Sequence, residues 1–317
     1  MRNAHPQNCL ARKKVTDGSK LIPSVTTSRV LCVGIATLDI VNQVEGYPAE
    51  NSEVRALSQT QRMGGNAANT AIVLSQLGVN TSWAGNLPAS SGLVEQTFSH
   101  YGVDYALAMR LPGAVLPTSY ITLNRDNGSR SIVHYRDAPE YAFEAFSRID
   151  LRRFDWLHFE GRAVGQLTRM LLYARDLPWL RISLEVEKPR PGIEDLFERA
   201  DLLFFSHDYA RARGYKDAPA LLLGLKKGQV ATCTWGSEGA WGIDHDGRLL
   251  QACAPNLPTV VDTIGAGDVF NAAMISGLCR DETWPAALQA AVNLASLKCG
   301  KDGLDLDQPV LVSPLIE

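Results

Sequence analysis

What this sequence lacks narrows the field first. Its six cysteines, at 9, 32, 233, 253, 279 and 299, include no C-x-x-C pair and have no histidine cluster nearby. Neither a zinc site nor a disulfide framework is therefore expected. Cys32 and Cys233 lie in apolar strand-like runs and read as small buried hydrophobes of a reducing compartment. Basic charge is not in excess either: the formal net charge is -3, which gives no electrostatic footprint for nucleic acid. No uninterrupted apolar run approaches the roughly 20 residues that a membrane span needs, so no membrane partner is expected. Three signatures are missing as well. Without G-x-x-x-x-G-K-[ST] there is no P-loop, without G-x-S-x-G no nucleophile elbow, and without G-x-G-x-x-G after the first strand no Rossmann dehydrogenase.

What is present is an ordinary globular chain. Its 317 residues, 45% hydrophobic and 21% charged, suffice for one large domain or a large domain with a small one. The first 28 residues are basic, rich in hydroxyls and without the apolar stretch of a secretory signal. They read as a disordered tail in preference to a transit peptide, and the cytosol is the default location.

From Val30 onward strands and helices alternate. "VLCVGIA" predicts a strand covered on both faces, and "NAANTAIVLSQLG" (66 to 78) a helix stopped at Gly78. "TSWAG" follows as a strand and "GLVEQTFSHYG" as a helix closed by Gly102. Later come the strands "WLHFEG", "RISLEV", "LLFFS" and "QVATCTW", with helices expected near 165 to 176, 193 to 200 and 218 to 227. This alternation predicts βαβ units and a mainly parallel α/β sheet with helices on both faces. Residues 40 to 62 and 105 to 136 break the alternation and read as extended segments. Asn127-Gly128 in the second marks a hairpin. These two segments predict a small antiparallel flap, the other option being an extension of the main sheet.

The stretch "DTIGAGDVF" (262 to 270) sets two glycines and an alanine between two aspartates, just before a helix-like run. A helix start collects unpaired N–H groups and favours negative charge. Asp268 beside such an anion hole is either a group that handles a proton next to a phosphate or a plain acidic cap. In "MGGNAANTA" (63 to 71), Gly64 and Gly65 precede a helix that carries Asn66 and, one turn on, Asn69. Two amides on one helical face can serve a ligand with several hydroxyls, or one can be a cap and the other incidental. Asp39 closes the first strand run, at the edge where open α/β sheets bind ligands. "TWGSEGAWGI" (234 to 243) is a strand, a Gly turn and a strand, against which a nucleotide can lie or which is a turn and nothing more. Glu160, Gly161 and Arg162 follow another strand, with a surface ion pair as the simplest role for Arg162.

Each of these signals is weak alone, but their order is specific. A strand with Asp39, a Gly-Gly-Asn…Asn helix, a Gly turn and G-A-G-D at a helix start together resemble the ribokinase-like (PfkB-type) carbohydrate kinases. The segments "GGNAANTAIVLSQLG" and "DTIGAGDVFNAAMISGL" look like that family's N-terminal and C-terminal signatures. The resemblance spans about residues 29 to 305, and within the family the match to the animal branch that acts on ketohexoses is close. It rests there on "LCVGIATLDIVNQVEGYP", "NGSRSIVHYRDAPE", "HFEGRA" and "SLEVEKPR".

The resemblance implies a kinase domain over 29 to 305 with a β lid, or clasp, from about 40 to 62 and 105 to 136, and a C-terminal tail from 306 to 317. It implies ATP and magnesium, with potassium as a further candidate cation, and fructose phosphorylated at C1. By resemblance Asp39, Gly65, Asn66 and Asn69 hold the sugar together with Asp268, and Asp268 is the catalytic base. Arg130 reaches the nucleotide phosphates. Gly236, Ser237, Glu238 and Gly239 border the nucleotide, and Gly265, Ala266 and Gly267 cradle the transferring phosphoryl. Lid sheets of two subunits clasp into a homodimer. A kinase of another sugar or a nucleoside, or a sugar-binding regulator without catalysis, is the alternative. Many members carry N-x-x-E before the nucleotide turn, where "FFSHDYAR" places Ser206 and Tyr209. No metal ligand is assigned.

Overall fold

The computed structural model describes residues 28–306. Residues 1 to 27 and 307 to 317, almost all of the two expected tails, lie outside the described range. In chain order, β1 (Arg29–Val33), β2 (Thr37–Val44) and β3 (Ser58–Gly64) precede α1 (Asn66–Gln76). Next come β4 (Asn80–Ala84), β5 (Asn86–Pro88), α2 (Gly92–Tyr101), β6 (Met109–Leu111), β7 (Thr118–Asn124) and β8 (Arg130–Tyr135). The middle of the chain holds α3 (Phe143–Phe146), β9 (Trp156–Glu160), α4 (Val164–Arg175), β10 (Arg181–Val186) and β11 (Leu202–Phe205). The remainder is α5 (His207–Ala212), α6 (Ala218–Leu223), β12 (Ala231–Thr234), β13 (Ala240–Ile243), β14 (Leu249–Ala252), α7 (Ala266–Cys279) and α8 (Trp284–Cys299).

The main sheet has eight strands in the order β14-β13-β12-β11-β10-β9-β1-β4. Its strands from β12 to β4 are parallel, and β13 and β14 extend it antiparallel. Because helices cover both faces, the central strands read as unbroken apolar runs such as "LLFF" in β11, buried at every position. One buried cluster sets the sheet against α1, α2, α7 and α8, and the other sets it against α3 to α6. Helix α7 is deeply set: residues 268 to 277 are all buried, and it packs between α1 and α8. A helix apolar all round belongs inside a protein, and its alanines and glycines let neighbours approach closely.

A second sheet of four strands, in the order β3-β2-β7-β8, stands apart from the first. The extended segments thus build their own sheet instead of widening the main one. The sheet is mixed and not the antiparallel flap expected, since β2 pairs parallel with β7. Two further expectations need correction. Asp39 does not end the first strand; β1 stops at Val33, and Asp39 lies within β2 of the small sheet. At Gly34 a Cβ would come within 2.6 Å of the Glu160 carboxylate, so the chain turns there without a side chain. Nor does all of 105 to 136 join the small sheet, since β6 pairs with β5 in a separate two-stranded sheet.

Smaller differences concern helix type and length. The helix expected near 193 to 200 is a 3-10 helix, Ile193–Arg199, after Gly192 in the left-handed region. Its buried residues are Ile193, Leu196 and Phe197. Helix α6 ends before Gly224, short of the expected 227. Cys32, Cys233, Cys279 and Cys299 form no disulfide. Among the described residues no helix is long and apolar enough to cross a membrane.

Candidate functional site

The carboxyl ends of the parallel strands β1, β9, β10 and β12 point to one edge, where two helices also begin. Helix α7 starts there because Gly265 takes φ +80°, a conformation that side-chain-bearing residues rarely adopt. The turn before it is shaped by Asp262, whose Oδ1 accepts a hydrogen bond from the Ile264 N–H at 2.8 Å. Helix geometry leaves the first N–H groups without intrahelical acceptors; that of Ala266 donates to the Thr263 carbonyl at 3.3 Å, and those of Gly267 and Asp268 remain for a ligand. Gly267 is exposed, and a Cβ there would meet nothing within 4 Å, so the start of the helix is open to a ligand.

Asp268, in that first turn, is only 5% exposed. Its Oδ2 accepts a hydrogen bond from Asn69 Nδ2 at 2.7 Å, while the buried Asn69 Oδ1 has no partner. Burial pushes the Asp268 carboxyl well above the usual aspartate range, and the charges of Glu187, Glu160 and Asp39 push the same way. The Asn69 hydrogen bond opposes them in part. A carboxylate tuned upward at a helix start suits the abstraction of a proton near neutral pH.

Glu185, at the carboxyl end of β10, joins the two helices that carry these groups. Its Oε1 accepts from Asn66 Nδ2 of α1 at 3.1 Å and from Asn271 Nδ2 of α7 at 3.3 Å. Its Oε2 is buried without a partner, and burial together with the Asp268 charge holds its carboxyl well above the ordinary glutamate range. The Asn66 amide also donates to Glu187 Oε2 at 3.2 Å. Both N–H groups of the Asn66 amide therefore serve protein carboxylates, which leaves its carbonyl oxygen for a ligand, whereas Asn69 spends one N–H on Asp268 and keeps its second N–H and its carbonyl oxygen. Glu160, ending β9, accepts from the Ile35 N–H at 3.0 Å and takes an ion pair from Arg162 at 3.4 Å.

Asp39 enters from the small sheet. It is 7% exposed, its Oδ1 accepts from the Thr37 hydroxyl at 2.8 Å, and it packs against Gly64 so closely that a Cβ there would sit 2.1 Å from its Oδ2. Gly65 caps α1 at φ +101°, where a Cβ would lie 2.2 Å from the Ile35 carbonyl oxygen. Both glycines of "MGGN" are therefore required by close approach.

Asn69, Asp268 and Gly265 meet directly, since a Cβ on Gly265 would lie 3.7 Å from both the Asn69 amide and the Asp268 carboxylate. Arg130 reaches the same segment by donating to Thr263 Oγ1 at 3.0 Å. Gly236, Ser237 and Glu238 form a 3-10 turn just past β12, on the same edge of the sheet. Gly239, at φ +93°, is fixed by packing, because a Cβ would come within 2.0 Å of the Ala252 carbonyl oxygen. Ser206 caps α5 through the Tyr209 N–H at 2.9 Å, and the Tyr209 hydroxyl donates to Glu194 at 2.8 Å. Arg162 ties Glu140 to Glu160.

Several residues here were not singled out from the sequence: Glu185, Glu187 and Asn271, and the trio Arg62, Asp262 and Lys298. Lys298 is fully buried, and its Nζ donates to both the carboxylate and the backbone oxygen of Asp262 at 2.7 Å each. Burial raises the Asp262 carboxyl, but the Lys298 hydrogen bond and the Arg62 charge outweigh it and hold the group below the usual aspartate range.

A model of the pfkB family of carbohydrate kinases matches residues 27–311. Ketohexokinase of Mus musculus is 38% identical over 291 residues, which cover 87% of this chain and 98% of that protein. Among solved structures, the ribokinase of Giardia lamblia superposes with a TM-score of 0.73 at 15% identity, over 88% of this chain and 96% of its own. The nucleoside kinase of Methanocaldococcus jannaschii superposes with a TM-score of 0.70 at 19% identity, over 90% of this chain and 95% of its own. At such identities these two structures speak for the fold alone.

Proposed function

The chain belongs to the pfkB family of carbohydrate kinases, and from that premise we propose that it transfers the γ-phosphoryl of ATP to the C1 hydroxyl of fructose. One observation carries the mechanism: a buried carboxylate, Asp268, sits in the first turn of α7 beside the Gly265 turn and is held by Asn69. The choice of fructose is supported by the 38% identity to a ketohexokinase over nearly its whole length.

Asp268 takes the proton of the C1 hydroxyl as that oxygen attacks the γ-phosphorus, and ADP leaves with the electron pair of the broken P–O bond. The N–H groups of Gly267 and Asp268, with that of Ala266 once it leaves the Thr263 carbonyl, stabilise the charge that builds on the phosphoryl oxygens. Asn69 Oδ1, left without a partner in a buried place, accepts from a sugar hydroxyl, and Asp39 with the Asn66 carbonyl completes the set of acceptors. Arg130 exchanges its Thr263 hydroxyl for nucleotide phosphates, and the turn at Gly236 to Gly239 borders the nucleotide.

Magnesium bound with the nucleotide supplies further neutralisation of phosphate charge. Among the described residues no cluster of acidic, histidine or cysteine side chains is arranged to hold a metal directly. The buried, unpartnered Oε2 of Glu185 is the oxygen available to accept from water around such an ion. Potassium belongs to the same reading, without an assigned residue.

The small sheet is read as a lid that excludes water from the phosphoryl group. Its two faces differ: Asp39, Arg62, His134 and Arg130 share one, whereas Tyr120, Val133 and Tyr135, at 50%, 71% and 54% exposed, share the other. That outward apolar face supports a homodimer through the lids. A cytoplasmic location goes with this reading. The test is an ADP-release assay with ATP over a panel of ketoses, aldoses and nucleosides, followed by locating the phosphate on the product by NMR. Turnover with fructose and phosphate on C1 are expected, and preference for an aldose or a nucleoside overturns the assignment.

A further inference from the structure

Two arginines from opposite edges of the small sheet reach consecutive residues of the segment that leads into the Gly265 turn. Arg62, on edge strand β3, pairs with Asp262 Oδ2 at 3.0 Å, and Arg130, at the start of edge strand β8, donates to Thr263 Oγ1 at 3.0 Å. The two acceptors are unlike. Thr263 is exposed and neutral, so its bond exchanges readily with water or a ligand. Asp262 is 3% exposed and fully engaged: Oδ1 shapes the turn through Ile264, and Oδ2 takes both the buried Lys298 ammonium and Arg62. Breaking a pair to such a buried charge is costly.

Arg62 also pairs with the exposed Asp302 at 3.1 Å, an ion pair open to solvent, and it has a further relationship within the small sheet. In the β2–β3 ladder it stands directly opposite Asp39, on the same face. One side chain is thus the cross-strand neighbour of the carboxylate read as sugar-holding and the ion-pair partner of the residue that shapes the phosphate turn. We propose that Arg62 is a positioning residue that couples the two substrate sites, by making the seating of the small sheet over the sugar bias the 262–267 turn toward the conformation that receives the nucleotide. Arg62 itself touches neither substrate. This inference rests on the kinase reading, which supplies the two ligands.

Coupling of this kind is a ratio of affinities, and it is reciprocal. ADP binding to the full chain is measured by calorimetry, with and without a saturating concentration of the sugar that the parent phosphorylates, in the parent, Arg62→Met and Arg62→Lys. In the parent the sugar should tighten ADP by about five-fold or more. In Arg62→Met that ratio should fall to near one, while ADP and sugar alone bind within about two-fold of the parent. Arg62→Lys should keep part of the ratio. Arg62→Gln replaces the methionine variant if the latter does not fold. A parent-like ratio in a folded Met or Gln variant, or a parent whose ADP affinity no sugar alters, overturns the proposal. Failure of the fructose assignment registers separately, in the substrate panel.

Discussion

Asn69 gives its amide to Asp268 at 2.7 Å and keeps its own carbonyl oxygen buried without a partner. The geometry is directional. The donor steadies the carboxylate in its ionised form, and the carbonyl oxygen is left with its acceptor capacity unused. Asn69 and Asp268 lie 199 residues apart in the sequence, on helices α1 and α7.

Asp268→Asn keeps the side chain's size and removes its capacity to take a proton. General-base catalysis contributes about 10²–10⁴-fold, so kcat should fall by that much. ADP affinity should be retained, and the melting temperature should not drop. A folded variant that keeps more than about a tenth of parental kcat would show that Asp268 is not the base.

Glu185→Gln tests the crowding of carboxylates. Burial and the charge of Asp268 raise the Glu185 carboxyl, and charge repulsion is mutual. A carboxyl raised in the folded state contributes stability that is present below its unfolded pKa and lost as pH rises through its folded one. At neutral pH the variant should therefore melt a few degrees higher than the parent, and the gain should disappear near the ordinary carboxyl pKa of about 4. The acid limb of kcat, set by Asp268, should move to lower pH. Unchanged melting at pH 7 and an unmoved limb would separate Glu185 from Asp268 energetically.

Asp39→Ala and Asn69→Ala should act on the sugar. Leaving a buried polar partner unpaired costs roughly 1–3 kcal/mol, which corresponds to about a ten-fold or larger rise in the KM for fructose. The KM for ATP should scarcely change. Equal shifts in both would place these residues elsewhere than the sugar pocket.

Lys298→Met should chiefly affect stability. It strands the buried Asp262 with one remaining cation, Arg62, and loses two hydrogen bonds. Removing one partner of a buried pair costs about 3–5 kcal/mol. Urea unfolding should show a loss of that order. A loss under about 1 kcal/mol would mean that water replaces the ammonium easily.

The sequence was informative where physics is local. Gly102 is legible as a helix stop after a helical run, and the start of α7 as a Gly-Ala-Gly turn before a long apolar stretch. The 3-10 form of Ile193–Arg199 is harder to read, since over seven residues three-fold and 3.6-fold repeats nearly coincide. The β1 to β2 break hides in one apolar run, and only the proximity of Glu160 to Gly34 gives it a cause. The Arg62–Asp262–Lys298 trio joins residues 200 and 36 positions apart, and no local spacing encodes such a meeting. Glu185 reads as part of an ordinary strand until β10 is placed between β9 and β11.

Helix α7 is packed between α1 and α8 and buried along residues 268 to 277. Backbone amides in such a place exchange with solvent only through the largest openings of a fold, whereas edge strands exchange through small ones. Hydrogen–deuterium exchange should therefore find the amides after Asp268 among the slowest in the chain, and those of β8, exposed along its whole length, among the fastest. On the kinase reading, the proton acceptor then belongs to the slowest-exchanging part of the molecule and the cover over the sugar to the fastest.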